Sequence, residues 1–182
     1  MSSLSDANTG ELLLLDVRPE EDYTFYHARG SRNVPLYDYI DVQSGDLKAV
    51  TLLKAIAYAA QGVRGVERNE NFDSDVVGTI AGGTVKSIVC CCSAGGTLTA
   101  TQNFPYGQSS RSLIAAHRLV STILDSNEEF KKITVYHMLG GLNRWFKDGG
   151  DGEGDGDEYD DTSGKVPFVP GYTIEQDSEE LK

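Results

Sequence analysis

Three consecutive cysteines, Cys90, Cys91 and Cys92, are the only thiols in the 182 residues, and the residue types that follow them suit nucleophilic chemistry. They close an apolar run from Ser87. Ser93-Ala94-Gly95-Gly96-Thr97 comes next and then, after a long polar stretch, Ser109-Ser110-Arg111-Ser112. The thiolate is the reactive form of cysteine, and forming it near neutral pH requires a cation or helix-end amides to lower an ordinary pKa of about 8.5. Gly95 and Gly96 let backbone N–H groups approach closely, and Arg111 offers a fixed positive charge. A helix opening near Ser110, with Ser109 or Ser110 as N-cap, aims its positive end at the same place. Neighbouring residues on a strand face opposite ways, so Cys90 and Cys91 are expected to be locked in a sheet, while Cys92 is the first to leave it. Cys92 is therefore the candidate nucleophile. The alternative is that all three are small core-filling residues, since free cysteine is among the most buried types.

Other thiol chemistries fit less well. A phosphatase loop needs an arginine six positions after its cysteine, and counting from Cys90, Cys91 and Cys92 reaches Gly96, Thr97 and Leu98. Cysteines pointing alternately to two faces do not converge on one zinc ion, so no metal site is expected there. An odd number of thiols in one strand also argues against a disulfide framework and for a reducing compartment.

The elements that must position this loop read as alternating strands and helices. Leu12 to Val17 is a near-continuous apolar run, as expected of a strand buried on both faces, and Arg18-Pro19-Glu20-Glu21-Asp22 then starts a short helix. Asn33-Val34-Pro35 reads as a short extended piece. Ala49, Leu52, Leu53, Ile56, Ala57 and Ala60 recur at helical spacing, with Gly62 just beyond. A weaker helical pattern runs through Val76, Val77 and Ile80 to Gly82-Gly83. Ser87 to Cys92 is the second buried strand, and Leu113, Ala116, Val120, Ile123 and Leu124 form a helical stripe. Ile133 to Met138 is the third strand, turned by Gly140-Gly141 into a short Trp145-Phe146 segment. Buried strands separated by helices predict a single-domain α/β fold, a parallel sheet with helices on both faces. In such sheets the active site lies beyond the carboxyl ends of the strands, where Cys92 stands.

The formal charge is −12, which argues against a broad basic surface for nucleic acid. The charge is unevenly placed: eight acids and no Lys or Arg lie between Asp148 and Asp161, and the last eight residues add a net −3. The remainder is nearly neutral. No apolar run approaches the roughly 18 to 20 residues of a membrane span. The first ten residues show no leader pattern, which leaves either a cytoplasmic chain or one whose leader has been removed. Asp151-Gly152-Glu153-Gly154-Asp155-Gly156-Asp157 has the look of a calcium loop, but the position of the bidentate Glu is Thr162. A solvated linker with at most weak cation binding is expected.

Two separated stretches resemble rhodanese-like sulfurtransferase domains. Leu14-Leu15-Asp16-Val17-Arg18, Tyr23, His27 and Gly30-Ser31-Arg32-Asn33-Val34-Pro35 are similar to the amino-terminal signature of that family. Val135-Tyr136-His137-Met138-Leu139-Gly140-Gly141 with Trp145 is similar to its carboxyl signature. The resemblance covers about residues 12 to 149, and the 97–103 and 107–116 stretches are similar to the single-domain chloroplast members of plants and algae. It implies a rhodanese-like fold, sulfur transfer through a persulfide on Cys92 without a cofactor, and a chloroplast location. Gly95, Gly96, Arg111 and Ser112 would bind the substrate, with Asp16 and Arg18 buttressing the loop. The substrates implied are a sulfane-sulfur donor and a thiol acceptor. His27, His117 and His137 are read as packing or hydrogen-bonding residues and Trp145 as a core anchor. The expected division is a domain over 1–149 with a long active-site insert at 93–110, an acidic linker at 150–165 and a tail at 166–182, whose Val166-Pro167-Phe168-Val169-Pro170 is expected to fold back. The family's usual loop is about six residues, whereas 18 separate Cys92 from Arg111. The insert is expected to reshape or lid the pocket, and the alternative function is an inactive module that grips a protein partner through residues 97–110. Only eleven residues precede Leu12, fewer than the strand and helix usual in the family, so a truncated start is expected.

Overall fold

The computed structural model describes residues 11–42, 49–62, 64–81, 84–100, 102, 104–124, 128 and 130–156. The expected tail, most of the acidic linker and the Gly82-Gly83 stop lie outside these residues. In chain order the elements are β1 (Leu12–Asp16), α1 (Glu20–Phe25), β2 (His27–Ala28), β3 (Arg32–Asn33), β4 (Tyr37–Tyr39), α2 (Ala49–Ala60), β5 (Val66–Arg68), α3 (Phe72–Ile80), β6 (Ser87–Cys91), α4 (Arg111–Arg118), β7 (Thr134–His137), α5 (Gly141–Lys147) and β8 (Gly152–Glu153). A wider helical turn, Leu119–Leu124, continues α4.

The central sheet has the order β3-β1-β6-β7, and every pair in it is parallel. Leu12 is opposite Ser87 and Asp16 opposite Cys91, while Ser87 is opposite Thr134 and Cys90 opposite His137. This register brings Asp16, Cys91 and His137 to one end of the sheet. Helices cover both faces. On one, Leu13, Leu15, Ile88, Cys90 and Cys92 pack with Phe72, Val76 and Ile80 of α3 and with Ala115 and Leu119 from the α4 segment. On the other, Cys91 packs with Ala28 and Leu142, and Leu14, Met138, Trp145 and Phe146 lie against them. The central strands are apolar on both sides because both sides are covered.

Helix α2 forms over the span that its spacing predicts, but its apolar stripe does not face this core. Ala55 is its buried residue, whereas Leu53 is 66% exposed. The acidic stretch differs from expectation as well. Where the sequence reads a linker from residue 150, β8 pairs antiparallel with β2, and the Asp155 and Gly156 amides donate to the carbonyls of Thr24 and Phe25. Arg29 draws in the acids, with Nε 2.6 Å from Asp151 Oδ2 and Nη1 3.3 Å from Glu153 Oε2. The alternating glycines give this strap a face without side chains. A Cβ on Gly152 would meet the rings of Tyr26 and Phe146, and one on Gly156 the ring of Phe25.

Candidate functional site

The site is built where β1, β6 and β7 end. Cys90, Cys91 and Cys92 are all buried, so burial alone does not separate them. Their surroundings do. Burial pushes the Cys90 thiol up to about 12. Cys91 is held well above the ordinary thiol value by burial first and then by the nearby Asp16 charge. Both are therefore kept as inert thiols near neutral pH. Cys92 is past the last residue of β6, and its Sγ is 3.2 Å from the hydroxyl of Ser112 on α4.

The loop after Cys92 is held from behind. Leu142 and Asn143 N–H, in the first turn of α5, donate to the carbonyls of Cys92 and Ser93 at 2.9 Å each. His137 Nε2 lies 3.2 Å from the Gly95 carbonyl, and because a carbonyl only accepts, that nitrogen carries the proton. Gly95, at φ +79°, is pressed against the second glycine pair: a Cβ there would be 2.6 Å from the Gly141 nitrogen and 2.8 Å from the Met138 carbonyl oxygen. With its carbonyls committed to α5 and His137, the loop forms no hydrogen bond through the Ser93, Ala94 or Gly95 amides among the described residues. Those donors are free for an anion. The Ser93 hydroxyl is also buried without a partner.

The long insert does not interrupt this cradle. Thr97 and Gln108 form an antiparallel bridge, with N–H to carbonyl distances of 2.9 and 2.7 Å. The bridge is a neck that ties off the residues between them. Gly96 is brought against Ser110, where a Cβ would be 2.8 Å from the serine's Cβ. The chain thus passes from Cys92 through Gly96 to the start of α4 as if the loop were short. Beyond the neck, Leu98 is 85% and Tyr106 97% exposed.

The start of α4 is capped by Ser110, whose hydroxyl accepts from Leu113 N–H at 3.1 Å and lies 3.1 Å from the Ser112 hydroxyl. Ser112 and Cys92 are thus brought together. Arg111 sits on the same turn, and its described ion pair is with Asp22 of α1, Nη1 to Oδ2 at 3.9 Å. Asp16 and Arg18 are fully buried beneath the loop. Arg18 donates from Nη2 to Asp16 Oδ2 and to the Tyr26 carbonyl, both at 2.7 Å, and the Val17 amide donates to the Cys91 carbonyl. Burial works against the Arg18 charge, but the charge and hydrogen bonds of Asp16 outweigh it and hold the guanidinium above its ordinary pKa. Spent on each other and on backbone, the two residues shape the site from below.

Of the remaining expected residues, His27 and Trp145 have structural contacts, whereas the His117 side chain, expected to pack or hydrogen-bond, has none among the described residues. His27 stacks on Tyr23 with centroids 3.7 Å apart, His117 is exposed, and Trp145 is half-buried with its indole N–H on the Asp151 carbonyl. Among the described residues no group of three or more His, Cys, Asp or Glu is placed to hold a metal ion, and no helix is long and apolar enough to cross a membrane.

Over 138 residues the chain is 36% identical to Rhodanese-like domain-containing protein 14, chloroplastic, of Arabidopsis thaliana. The chain is a rhodanese-like domain protein. That alignment spans 75% of this chain and 55% of the relative, so the chain spans about half the relative's length. No protein-family model matches the chain. Similar solved structures include the rhodanese-like domain of an Anabaena protein, at 16% identity over 94% of this chain and 83% of that one with a TM-score of 0.43. Another is the thiosulfate sulfurtransferase of Pseudomonas aeruginosa, at 16% identity over 83% of this chain and 18% of that one with a TM-score of 0.44.

Two parts of this rhodanese-like site lie outside the residues singled out by sequence, the Thr97–Gln108 neck and the Leu142 and Asn143 amides; Ser110, read as an N-cap, and His137, read as a packing or hydrogen-bonding residue, are singled out without their links to Ser112 and Gly95. The facing pairs Gly95-Gly96 and Gly140-Gly141 are the visible signal for the α5 contact, since two backbones that touch both need glycine. The neck has no comparable signal, because a single bridge between polar residues leaves no periodicity.

Proposed function

We propose that this chain is a sulfurtransferase that carries sulfane sulfur on Cys92. The observation that supports the reading best is the placement of Cys92: the first thiol outside the sheet, with a hydroxyl 3.2 Å from its sulfur and the free amides of residues 93–95 beside it. The Cys92 thiolate attacks the outer sulfur of the donor, the donor's sulfur–sulfur bond breaks, and with thiosulfate the sulfite leaves with the bonding pair. The outer sulfur remains on Cys92 as a persulfide whose negative charge the loop amides of Gly95 and its neighbours stabilise. An acceptor thiolate then attacks that sulfur, and Cys92 departs as thiolate. Gly95, Gly96 and Ser112 frame the substrate, Arg111 supplies positive charge at the rim, and Asp16 and Arg18 support the floor. The name of the Arabidopsis relative supports a chloroplast location for this chain.

A second reading, an interaction module, is favoured by the exposed Leu98 and Tyr106 beyond the neck. One experiment separates the two. After incubation with thiosulfate, mass spectrometry is expected to show one added sulfur atom on Cys92 in the full chain and in a variant lacking Thr99 to Gly107, and none in Cys92→Ser. Absence of the adduct in the full chain, with Cys92→Ser kinetically unchanged, refutes sulfur transfer and leaves the module reading.

A further inference from the structure

We propose that Ser110 is a positioning residue for Cys92, working through Ser112 as a one-way hydrogen-bond relay. The inference rests on reading Cys92 as the nucleophile. Three contacts define it: Leu113 N–H to Ser110 Oγ at 3.1 Å, Ser110 Oγ to Ser112 Oγ at 3.1 Å, and Ser112 Oγ to Cys92 Sγ at 3.2 Å.

The direction of the relay follows from counting hydrogens. The Leu113 amide can only donate, so it fixes Ser110 Oγ as an acceptor on the side facing the helix. Among the described residues the single remaining partner of the Ser110 hydroxyl is Ser112 Oγ, and the single remaining partner of the Ser112 hydroxyl is Cys92 Sγ. When Ser110 donates to Ser112 and Ser112 donates to a Cys92 thiolate, every hydrogen in the chain has an acceptor, and with a Cys92 thiol this direction leaves only the weakly donating S–H without one. In the reverse direction, with a Cys92 S–H donating to Ser112, the Ser110 hydrogen is left with none. Ser112 is fully buried and Ser110 half-buried, so an unmade hydrogen bond there is costly. The helix cap thus biases the relay toward delivering an O–H to a negatively charged sulfur. The same donor serves the thiolate and the persulfide that follows it.

The test keeps the cap and changes the donor. In Ser110→Asp the carboxylate still caps α4 but can only accept, so it takes the Ser112 hydrogen away from the sulfur. Ser109→Asp places the same charge one residue earlier, on an exposed side chain outside the relay. Ser110→Thr retains both cap and hydroxyl. Ser110→Gly keeps a residue tolerated at the cap and removes the hydroxyl, which covers the case in which the Asp variant fails to fold. The readout is the rate of Cys92 alkylation by iodoacetamide, followed by peptide mass spectrometry near pH 7 and near pH 10.5. Near pH 7 the Asp variant is expected to be slower by about tenfold and the Gly variant by about threefold, with Ser109→Asp and Ser110→Thr within about twofold of the parent. At the higher pH the differences between the variants are expected to shrink. Equal rates for Ser110→Asp and Ser109→Asp, or a parental rate in Ser110→Gly, overturn the relay. Label on Cys90 or Cys91 instead of Cys92 overturns the nucleophile assignment itself.

Discussion

Replacing Gly95 by Ala tests how tightly the thiol loop is pressed onto the start of α5. Two costs arise, and the structure provides a control that separates them. Gly95 has φ +79° and Gly30 has φ +76°, so an L residue at either position meets the same backbone penalty of about 1 to 2 kcal/mol. At Gly30 a Cβ meets nothing within 4 Å. At Gly95 it would lie 2.6 to 2.8 Å from the Gly141 and Gly140 nitrogens and the Met138 carbonyl oxygen, all backbone atoms with little room to yield. The loop must therefore lift. In doing so it strains the bonds from Leu142, Asn143 and His137 to the Cys92, Ser93 and Gly95 carbonyls, each contributing about 0.5 to 1.5 kcal/mol. The expected destabilisation is about 1 to 2 kcal/mol for Gly30→Ala and about 3 to 6 kcal/mol for Gly95→Ala. Urea unfolding at constant temperature measures both, and the Cys92 alkylation rate reports whether the loop has moved. A Gly95→Ala midpoint equal to that of Gly30→Ala, with unchanged alkylation, would refute the packing argument.

Two further outcomes are expected. Arg18→Met leaves the fully buried Asp16 carboxylate without its cation and should cost about 3 to 5 kcal/mol in urea unfolding, while adding Asp16→Leu should recover part of that loss; a double variant less stable than the single would contradict the pairing. Stability should also fall as pH rises from about 9 toward about 12, because Cys90 is held un-ionised in the fold and the unfolded chain releases its proton first. That stability is complete below the ordinary thiol value and disappears as the folded value is passed. A Cys90→Ala variant with the same alkaline slope in urea midpoints would show that another group is responsible.

Much of the fold was legible because burial on both faces writes itself into strand composition. Leu12 to Val17, Ser87 to Cys92 and Ile133 to Met138 each contain an observed strand, and α2 and α4 start within a residue of their predicted positions. The burial of α2 was not legible, since its spacing marks an apolar stripe without saying whether the domain covers it. The strap at 151–156 was misread for an instructive reason. Alternating Gly and acid is a period-two pattern, which is that of a strand, but composition suggested a solvated linker. What holds the strap is Arg29, far away in sequence, together with the rings of Phe25, Tyr26 and Phe146.

By itself the sequence determined that this chain is a parallel α/β domain whose thiols stand at the end of a central strand, because strand hydrophobicity and local glycines are properties of short segments, and its resemblance to rhodanese-like domains rests on two separated signatures. Tertiary structure alone decided that an 18-residue insert closes at Thr97–Gln108 into a short cradle. It also decided that Ser110 reaches Cys92 through Ser112, and that the acidic stretch begins on the domain. Each of these depends on atoms distant in sequence meeting within hydrogen-bonding distance, and hydrogen bonds between isolated polar residues leave no repeating pattern in the chain.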